Sequence, residues 1–372
     1  MFNNKEKTYF ITGGGTGGHI YPAVSVINTL LDNGIDNKNI FYLGNEKNME
    51  YEIATKQGYN FLSYNVKGMP RKLSFKFIAW TFNLFFATLK ALYYCFKYKP
   101  SVVFATGGYV CAPILFASQI LNIPYILHES DIHPGLVTKL FARGAKSVSL
   151  GFESAKNAIK TKNFLTNGNP IRKEFKEISK EQAREELSLK DKFIILIMGG
   201  SLGAKTINNS SFKILKEYAN KKEYQIIWQT GKKNFDEVTK KILEEFGELP
   251  DNLVLQPYFD KMYIVLLAAD LVISRAGSLS LSEICACGLA SILIPYPHAA
   301  GDHQKKNALE LVKNNIAKMI EDKNCNNDIL FDTVNELVNN KTLLEELSKN
   351  AKNYSKQDSA QKIVEQINGV IN

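Results

Sequence analysis

Phe10-Ile11-Thr12-Gly13-Gly14-Gly15-Thr16-Gly17-Gly18-His19 is the stretch from which the fold can be read. An apolar run enters it at Tyr9, and Ile20–Val24 leaves it at helical spacing. The pattern predicts a strand, a glycine turn and a helix, with backbone N–H groups presented to an anion and glycines that let a ligand approach the main chain. A cofactor turn needs no titratable side chain, so His19 in the first helical turn indicates chemistry at this site.

The same pattern recurs along the chain. Strands alternate with helices through the first half, and a second alternating series begins near residue 192. Its first turn, Gly199–Ala204, repeats the opening arrangement, and Thr106–Tyr109 is another glycine turn after a strand. This alternation predicts the α/β class, with two doubly wound parallel sheets. Ligands of such sheets bind at the carboxyl ends of the strands, so two such domains facing each other would form a cleft.

The connection between the domains is expected at Gly168–Arg172 and the charged segment Lys173–Glu186. We therefore expect a first domain over residues 1–168 and a second over 169–349. The polar end of the chain, Leu343–Asn372, predicts one or two helices.

Charge is unevenly distributed along the chain. The 372 residues carry a net charge of +9, yet no acidic residue occurs between Glu52 and Glu129. Eight basic residues lie in that interval: Lys56, Lys67, Arg71, Lys72, Lys76, Lys90, Lys97 and Lys99. Such a surface favours an anionic partner, namely nucleic acid, acidic lipid or a phosphorylated substrate. Lysine drift in an AT-rich genome is the alternative explanation.

Cysteine usage and the polar start of the chain bear on its compartment. The five cysteines show no C-x-x-C pair and are typical of buried thiols in a reducing compartment. Met1–Lys7 is polar, which predicts no signal peptide and a cytoplasmic protein.

Leu73–Tyr98 is an aromatic-rich helical segment with two interpretations. Its charge-free part, Phe77–Leu89, is too short to span a bilayer and is bracketed by Lys76 and Lys90. The segment is either an interfacial helix with lysines toward lipid head groups or a core helix with one side buried.

Six ordered blocks resemble the MurG family of peptidoglycan glycosyltransferases, within glycosyltransferase family 28. The blocks are Gly13–His19, Gly107–Tyr109, His128-Glu129, Gly168–Arg172, Gly199–Ala204 and Ser274–Glu283. The resemblance implies the GT-B fold, with the acceptor and membrane sites in the first domain and the donor mainly in the second. It also implies that the last helix, from about residue 350 to 372, returns to the first domain.

The resemblance also implies the reaction. N-acetylglucosamine would pass from UDP-GlcNAc to lipid I, the undecaprenyl-pyrophosphoryl-MurNAc-pentapeptide, in an inverting transfer without metal or other cofactor. The expected partners are these two substrates and the anionic cytoplasmic face of the cell membrane, together with other cell-wall synthesis proteins and without nucleic acid.

Site residues follow from the matched blocks. His19 is the proposed base, Glu283 would accept the ribose hydroxyls, and the main chain of Phe259 would contact uracil. The substrate-binding residues so implied are Thr16, Gly17, Gly18, Asp131, Arg172, Ser201, Phe259, Arg275, Ser278, Leu279, Ser280, Leu281, Ser282, Glu283 and Gln304. The acceptor-side residues are Gly107, Gly108, Tyr109, His128 and Glu129.

Three assignments stay open at this point. His19 either takes the proton of the acceptor hydroxyl or only hydrogen-bonds a phosphate. Asp131 stands where many relatives carry an Asn that contacts the donor sugar, and its carboxylate is an alternative base. Arg172 is either a phosphate ligand or a structural ion pair.

Other functions compete with glycosyl transfer to lipid I. Gly13-x-Gly15-x-x-Gly18 also fits a dinucleotide fingerprint, with Glu46 as the ribose ligand of an oxidoreductase, but this leaves Ser274–Glu283 unexplained. A basic binding module without catalytic activity leaves the doubled architecture unexplained. A related transferase with another lipid acceptor is the nearest alternative.

Overall fold

The computed structural model describes residues 7–70, 75–189, 191–200, 202–219 and 221–371. The chain divides into two compact units, and unit 1 contains residues 1–172 and 356–372 whereas unit 2 contains residues 173–355. The sequence had suggested boundaries after residues 168 and 349.

Unit 1 is built on a seven-stranded parallel sheet of order β3-β2-β1-β4-β5-β6-β7. The strands are β1 (Tyr9–Thr12), β2 (Ile40–Gly44), β3 (Asn60–Ser63), β4 (Val102–Ala105), β5 (Tyr125–Glu129), β6 (Ser147–Leu150) and β7 (Phe164–Leu165). The helices between them are α1 (Gly17–Asp32), α2 (Met49–Lys56), α3 (Phe75–Tyr98), α4 (Ala112–Ile120) and α5 (Leu136–Phe141). β1 lies at the centre of the sheet and all its residues are buried, as expected for a parallel strand covered by helices on both faces.

Unit 2 is built on a six-stranded parallel sheet of order β10-β9-β8-β11-β12-β13. The strands are β8 (Phe193–Met198), β9 (Tyr224–Gln229), β10 (Leu253–Gln256), β11 (Leu271–Ser274), β12 (Ala290–Leu293) and β13 (Ala317–Met319). The helices are α6 (Glu174–Glu177), α7 (Lys180–Glu186), α8 (Lys205–Ser210), α9 (Phe212–Tyr218), α10 (Phe235–Phe246), α11 (Met262–Ala268), α12 (Ser278–Cys287), α13 (His303–Lys313), α14 (Asn327–Asn339) and α15 (Lys341–Tyr354).

The last helix, α16 (Ser359–Ile371), belongs to unit 1 and packs against α1. Ile363, Val364 and Ile367 are fully buried there. Gln366 accepts a hydrogen bond from Asn167 at 2.6 Å and donates one to Ser147 at 2.5 Å. The end of the chain is therefore part of the core of the first unit.

One expectation from the sequence was wrong. The segment 173–186 is not a simple connection, because α7 begins with a Ser179–Gln182 capping box and belongs to unit 2. Arg184 and Lys180 both pair with Asp270, which fixes α7 on that unit.

Helix α3 has the length and composition of a membrane span, with 24 residues and a mean hydropathy of 1.2. It packs on unit 1 through a narrow stripe of small side chains, Ala87, Ala91 and Cys95. Trp80 and Tyr94 point inward and donate to the carbonyls of Lys67 and Ser63. Leu84, Leu92 and Tyr98 are partly buried on the same side. One side of α3 is therefore buried, and the other side exposes apolar side chains.

Candidate active site

Three loops lie at the carboxyl edge of the unit 1 sheet, after the neighbouring strands β1, β4 and β5. The glycine turns after β1 and β4 touch through their backbones, with the amide of Gly14 donating to the carbonyl of Gly107 at 3.3 Å. A Cβ on Gly108 would lie 2.1 Å from the carbonyl oxygen of Gly14, and one on Gly13 would lie 1.9 Å from Thr106 Oγ1. Internal packing therefore requires these glycines, which the sequence had assigned to ligand approach.

His19 is held in one orientation by the second of these turns. Its Nδ1 lies 3.0 Å from the carbonyl oxygen of Thr106. Because a carbonyl can only accept, Nδ1 carries the proton and the basic lone pair of the neutral ring is on Nε2. The ring lies against Gly107, where a Cβ would be 2.9 Å from it. The arrangement is that of an imidazole held to accept a proton at Nε2.

The N-terminus of α1 lies beside this imidazole. Thr16 is the extended N-cap residue and makes no side-chain cap, and Gly17 and Gly18 open the helix. Their amides have no intrahelical acceptors, and they carry the positive end of the helix dipole. This terminus is suited to an oxyanion such as a phosphate.

The loop after β5 is fixed by a buried carboxylate. Glu129 accepts hydrogen bonds from the amides of Asp131 at 3.1 Å and Gly135 at 3.0 Å. Glu129 is only 4% exposed, and burial raises the pKa of its carboxyl to about 7. Its side chain therefore positions the loop, and Asp131 is the more accessible carboxylate of the pair.

His128 is a buried side chain that is hydrogen-bonded to neighbouring residues of unit 1. It is 1% exposed, with Nε2 3.0 Å from Asn169 Oδ1 and Nδ1 3.2 Å from Ser149 Oγ. Burial lowers its pKa to about 4, so the ring is neutral. Sequence reasoning placed His128 on the acceptor side, but its burial excludes contact with a ligand.

Tyr109 connects the second glycine turn to α2. Its hydroxyl accepts a hydrogen bond from Asn48 Nδ2 at 3.0 Å, and its ring lies against Gly15 and Gly68. The ring is half-buried at the edge of the site.

Unit 2 carries a comparable pair of turns, after β8 and β9. A Cβ on Gly231 would lie 2.4 Å from the backbone of Gly203, so the two turns also touch. Gln229, at the end of β9, donates to the carbonyl of Gly200 at 3.3 Å and accepts from the amide of Phe259 at 2.9 Å. Sequence reasoning missed Gln229, because nothing in its neighbourhood distinguishes it from other buried strand residues. Ser201 lies outside the described residues.

Helix α12 begins directly after β11, next to β8, where the strand order reverses. Its first amides have no intrahelical acceptors, so this terminus is suited to an anion and lies at the position where such sheets bind ligands. Ser278 and Leu281 are buried, whereas Leu279, Ser280, Ser282 and Glu283 are partly exposed. Leu281 is a core residue.

Arg275 and Gln304 hold the loops around this terminus by hydrogen bonds to their backbone. The Arg275 guanidinium pairs with Asp322, donates to the carbonyls of Ile294 and Pro295, and lies 5.7 Å from the ring centre of Tyr296. Gln304 Oε1 accepts from the amides of Ala276 at 3.3 Å and Tyr296 at 2.9 Å. Arg172, the last residue of the first segment of unit 1, is half-buried.

An exposed apolar face lies on α3. It consists of Phe75, Ile78, Phe82, Phe85, Phe86, Leu89 and Phe96, which are between 45% and 89% exposed. Phe116 and Ile120 of the adjoining α4 extend it. An apolar stripe at helical spacing that faces outward is unusual for a protein surface and indicates an interaction site.

Two Rossmann-like units, each with a helix N-terminus suited to an anion at the carboxyl edge of its sheet, and a fixed imidazole in one of them are the architecture of the GT-B class, whose members act on nucleotide sugars. Comparison with known proteins agrees with this class. The N-terminal domain of glycosyltransferase family 28 matches residues 9–150, and the C-terminal domain of that family matches residues 194–367.

Two relatives that match nearly the whole chain indicate which transferase of this class it resembles. A protein from Caldanaerobacter subterraneus subsp. tengcongensis is 38% identical over 95% of this chain and 97% of its own length. A protein from Thermoanaerobacter sp. (strain X514) is 35% identical over 97% of this chain and 99% of its own length. Both are named UDP-N-acetylglucosamine–N-acetylmuramyl-(pentapeptide) pyrophosphoryl-undecaprenol N-acetylglucosamine transferase.

Two solved structures have the same fold as this chain over nearly its whole length. The crystal structure of MurG from Acinetobacter baumannii has a TM-score of 0.76 and 26% identity, and it covers 98% of this chain and 99% of that one. A UDP-GlcNAc 2-epimerase from Neisseria meningitidis shares the fold alone, at 14% identity, with a TM-score of 0.69 and coverage of 97% of this chain and 99% of that one. The chain belongs to glycosyltransferase family 28, and within it to the MurG family.

Proposed function

We propose that this chain transfers N-acetylglucosamine from UDP-GlcNAc to the C4 hydroxyl of the MurNAc residue of lipid I, giving the β(1→4) disaccharide of lipid II. The observation that carries the proposal is the imidazole of His19, held by Thr106 beside the anion-binding terminus of α1. The near-full-length similarity to transferases named for this reaction supports the same substrates.

The reaction is a single displacement with inversion. The acceptor oxygen forms a bond to the anomeric carbon as the bond from that carbon to the UDP oxygen breaks, and UDP leaves with the electron pair. Nε2 of His19 takes the hydroxyl proton, while the α1 terminus holds the acceptor pyrophosphate. The turn at 199–203 and the terminus of α12 stabilise the charge that develops on UDP, as preorganised amides do in other transferases.

We assign the donor to the residues around α12. Glu283 is the only carboxylate on that helix and accepts the ribose hydroxyls, and the loop held by Gln304 contacts the transferred sugar. Transfer requires no metal or other cofactor in this proposal, because amides and positive charge stabilise the leaving group.

The protein acts as a peripheral protein on the cytoplasmic face of the membrane. The apolar face of α3 inserts among the lipid chains, and Lys76, Lys90 and Lys97 on the same helix contact anionic head groups. A lipid-linked acceptor is thereby met at the surface in which it resides.

The decisive experiment uses purified protein, radiolabelled UDP-GlcNAc and lipid I in vesicles. We expect the label to appear in a lipid product, from which β-N-acetylglucosaminidase releases it. EDTA should leave the rate of transfer unchanged. Label transferred to diacylglycerol but not to lipid I would replace the proposal by a related lipid glycosyltransferase. Loss of activity with EDTA would overturn the metal-free mechanism.

A further inference from the structure

Glu50 is a fully buried carboxylate directly beneath the first glycine turn. Its relative exposure is 0%, and no Lys, Arg or His side chain within the described ranges forms an ion pair with it. A buried acid without a cation depends on hydrogen bonds for its stability, so the partners of Glu50 indicate why it is there.

The partners of Glu50 are three N–H groups from two loops. Oε2 accepts from the amide of Gly15 at 3.4 Å, and Oε1 accepts from the amide of Asn45 at 3.3 Å and from Asn48 Nδ2 at 3.2 Å. The carboxylate also fills the space beside Gly14, where a Cβ would lie 2.8 Å from its Cδ. One side chain therefore fixes the loop after β2 and the glycine turn after β1.

The contacts extend to the second glycine turn through Asn48. The amide group of Asn48 donates to Glu50 and, with its other hydrogen, to the hydroxyl of Tyr109. Tyr109 in turn lies against Gly15. Glu50, Asn48, Tyr109 and Gly15 thus form a closed set of contacts.

The amide of Gly15 consequently points at a carboxylate rather than at a ligand. The amides of Gly17 and Gly18 open the helix that carries His19 and have no intrahelical acceptors, so they are the groups of this turn suited to a phosphate. We propose that Glu50 is a positioning residue for the acceptor: it orients the glycine turn inward at Gly15, confines the acceptor pyrophosphate to the α1 terminus and, through Asn48, sets the position of Tyr109. The inference rests on the proposed function, because it assigns the acceptor to unit 1.

The test compares steady-state kinetics of Glu50→Gln and Asn48→Ala with wild type, varying lipid I and UDP-GlcNAc separately. Gln at position 50 keeps the volume but turns an NH2 group toward an N–H donor. We expect kcat/KM for lipid I to fall roughly 10- to 100-fold, with KM for UDP-GlcNAc unchanged within about twofold. Asn48→Ala, at a partly exposed site, should give a smaller loss of the same kind. Glu52→Gln, exposed on the same helix, is the matched control and should equal wild type.

The outcomes separate the two proposals. If wild type fails to use lipid I, the proposed function fails before Glu50 is tested. If wild type is active but Glu50→Gln lowers only kcat, with both KM values unchanged, Glu50 is a packing residue and the inference is wrong. If Glu50→Gln does not fold, the single variants Asn48→Ala and Tyr109→Phe are compared with the double variant. A loss of kcat/KM for lipid I in the double variant that is no greater than in either single variant supports the shared contact. Additive losses contradict it.

Discussion

At the scale of single residues, His19 and Asp131 are the two groups able to take the acceptor proton. The structure fixes the tautomer of His19 through Thr106 and holds the loop of Asp131 through Glu129. The pH–rate profiles of variants at the two positions distinguish them.

His19→Ala should lower kcat by about 10²- to 10⁴-fold and remove the acidic limb of the pH–rate profile, because general base catalysis is lost. Asp131→Asn should keep that limb and lose less activity. Both profiles are measured with saturating UDP-GlcNAc over pH 5 to 9. Turnover of His19→Ala within a fewfold of wild type, with the limb lost in Asp131→Asn, would transfer the role to Asp131.

Glu129 and His128 give stability opposite dependences on pH. The pKa of Glu129 is raised from 4.5 to about 7, so its contribution is fully present below pH 4.5 and is lost as the pH rises through 7. The pKa of His128 is lowered from 6.5 to about 4, so its contribution is present above pH 6.5 and is lost as the pH falls through 4. Each shift corresponds to roughly 3 kcal/mol, and the two offset each other between pH 4.5 and 6.5.

Glu129→Gln should therefore leave the His128 contribution unopposed. We expect the free energy of unfolding of unit 1 to rise with pH between 4.5 and 6.5 in this variant, more steeply than in wild type. Urea unfolding at half-unit steps of pH measures both curves. Parallel curves would show that Glu129 does not titrate in this range.

Among the elements, α3 packs on unit 1 by one side only. Ala87, Ala91 and Cys95 are buried there with Tyr94 and Tyr98 packed beside them, whereas the apolar face on the other side is exposed. The helical period of the sequence identified an apolar stripe, but it could not say that Trp80 and Tyr94 hold the helix by their polar atoms. The acceptors are the carbonyls of Lys67 and Ser63, which lie outside the helix, so the pattern of the helix could not predict them.

Phe82→Glu with Phe85→Glu should reduce binding to vesicles that contain phosphatidylglycerol by at least tenfold. Each exposed ring contributes on the order of 2 kcal/mol when it inserts into lipid, and the added carboxylates are repelled by the head groups. Cosedimentation measures binding. Ile329→Glu, on exposed α14 of unit 2, is the control and should bind as wild type. Equal binding by all three proteins would exclude the apolar face of α3 as the membrane contact.

At the scale of the whole molecule, the chain crosses from unit 1 to unit 2 and returns. Helix α16 belongs to the core of unit 1 but follows unit 2 in the chain. The ribosome therefore synthesises the last part of unit 1 after the whole of unit 2. Its anchor is apolar, with Ile367 fully buried against α1.

Ile367→Ala should destabilise unit 1 by about 2–4 kcal/mol, because it leaves a cavity between α16 and α1. The unfolding of unit 2 should not change. Hydrogen exchange of amides in β1 and β8 reports on the two units separately. Ile329→Ala, at a site 41% exposed, is the comparison and should cost less than about 0.5 kcal/mol. Equal loss of protection in both sheets would show that the units unfold together.

The sequence by itself determined the two alternating series, their glycine turns and the place of His19 at a helix N-terminus. Those features are local, since a strand, a turn and the first turn of a helix are specified by about a dozen neighbouring residues. Tertiary structure alone decided which side chains fix the site. The His19–Thr106 contact joins residues 87 positions apart, and the Glu50–Gly15 contact joins residues 35 apart. The parallel sheet brings these strand ends together, and only there do Gly13 and Gly108 become necessary for packing and Glu50 for holding the turn.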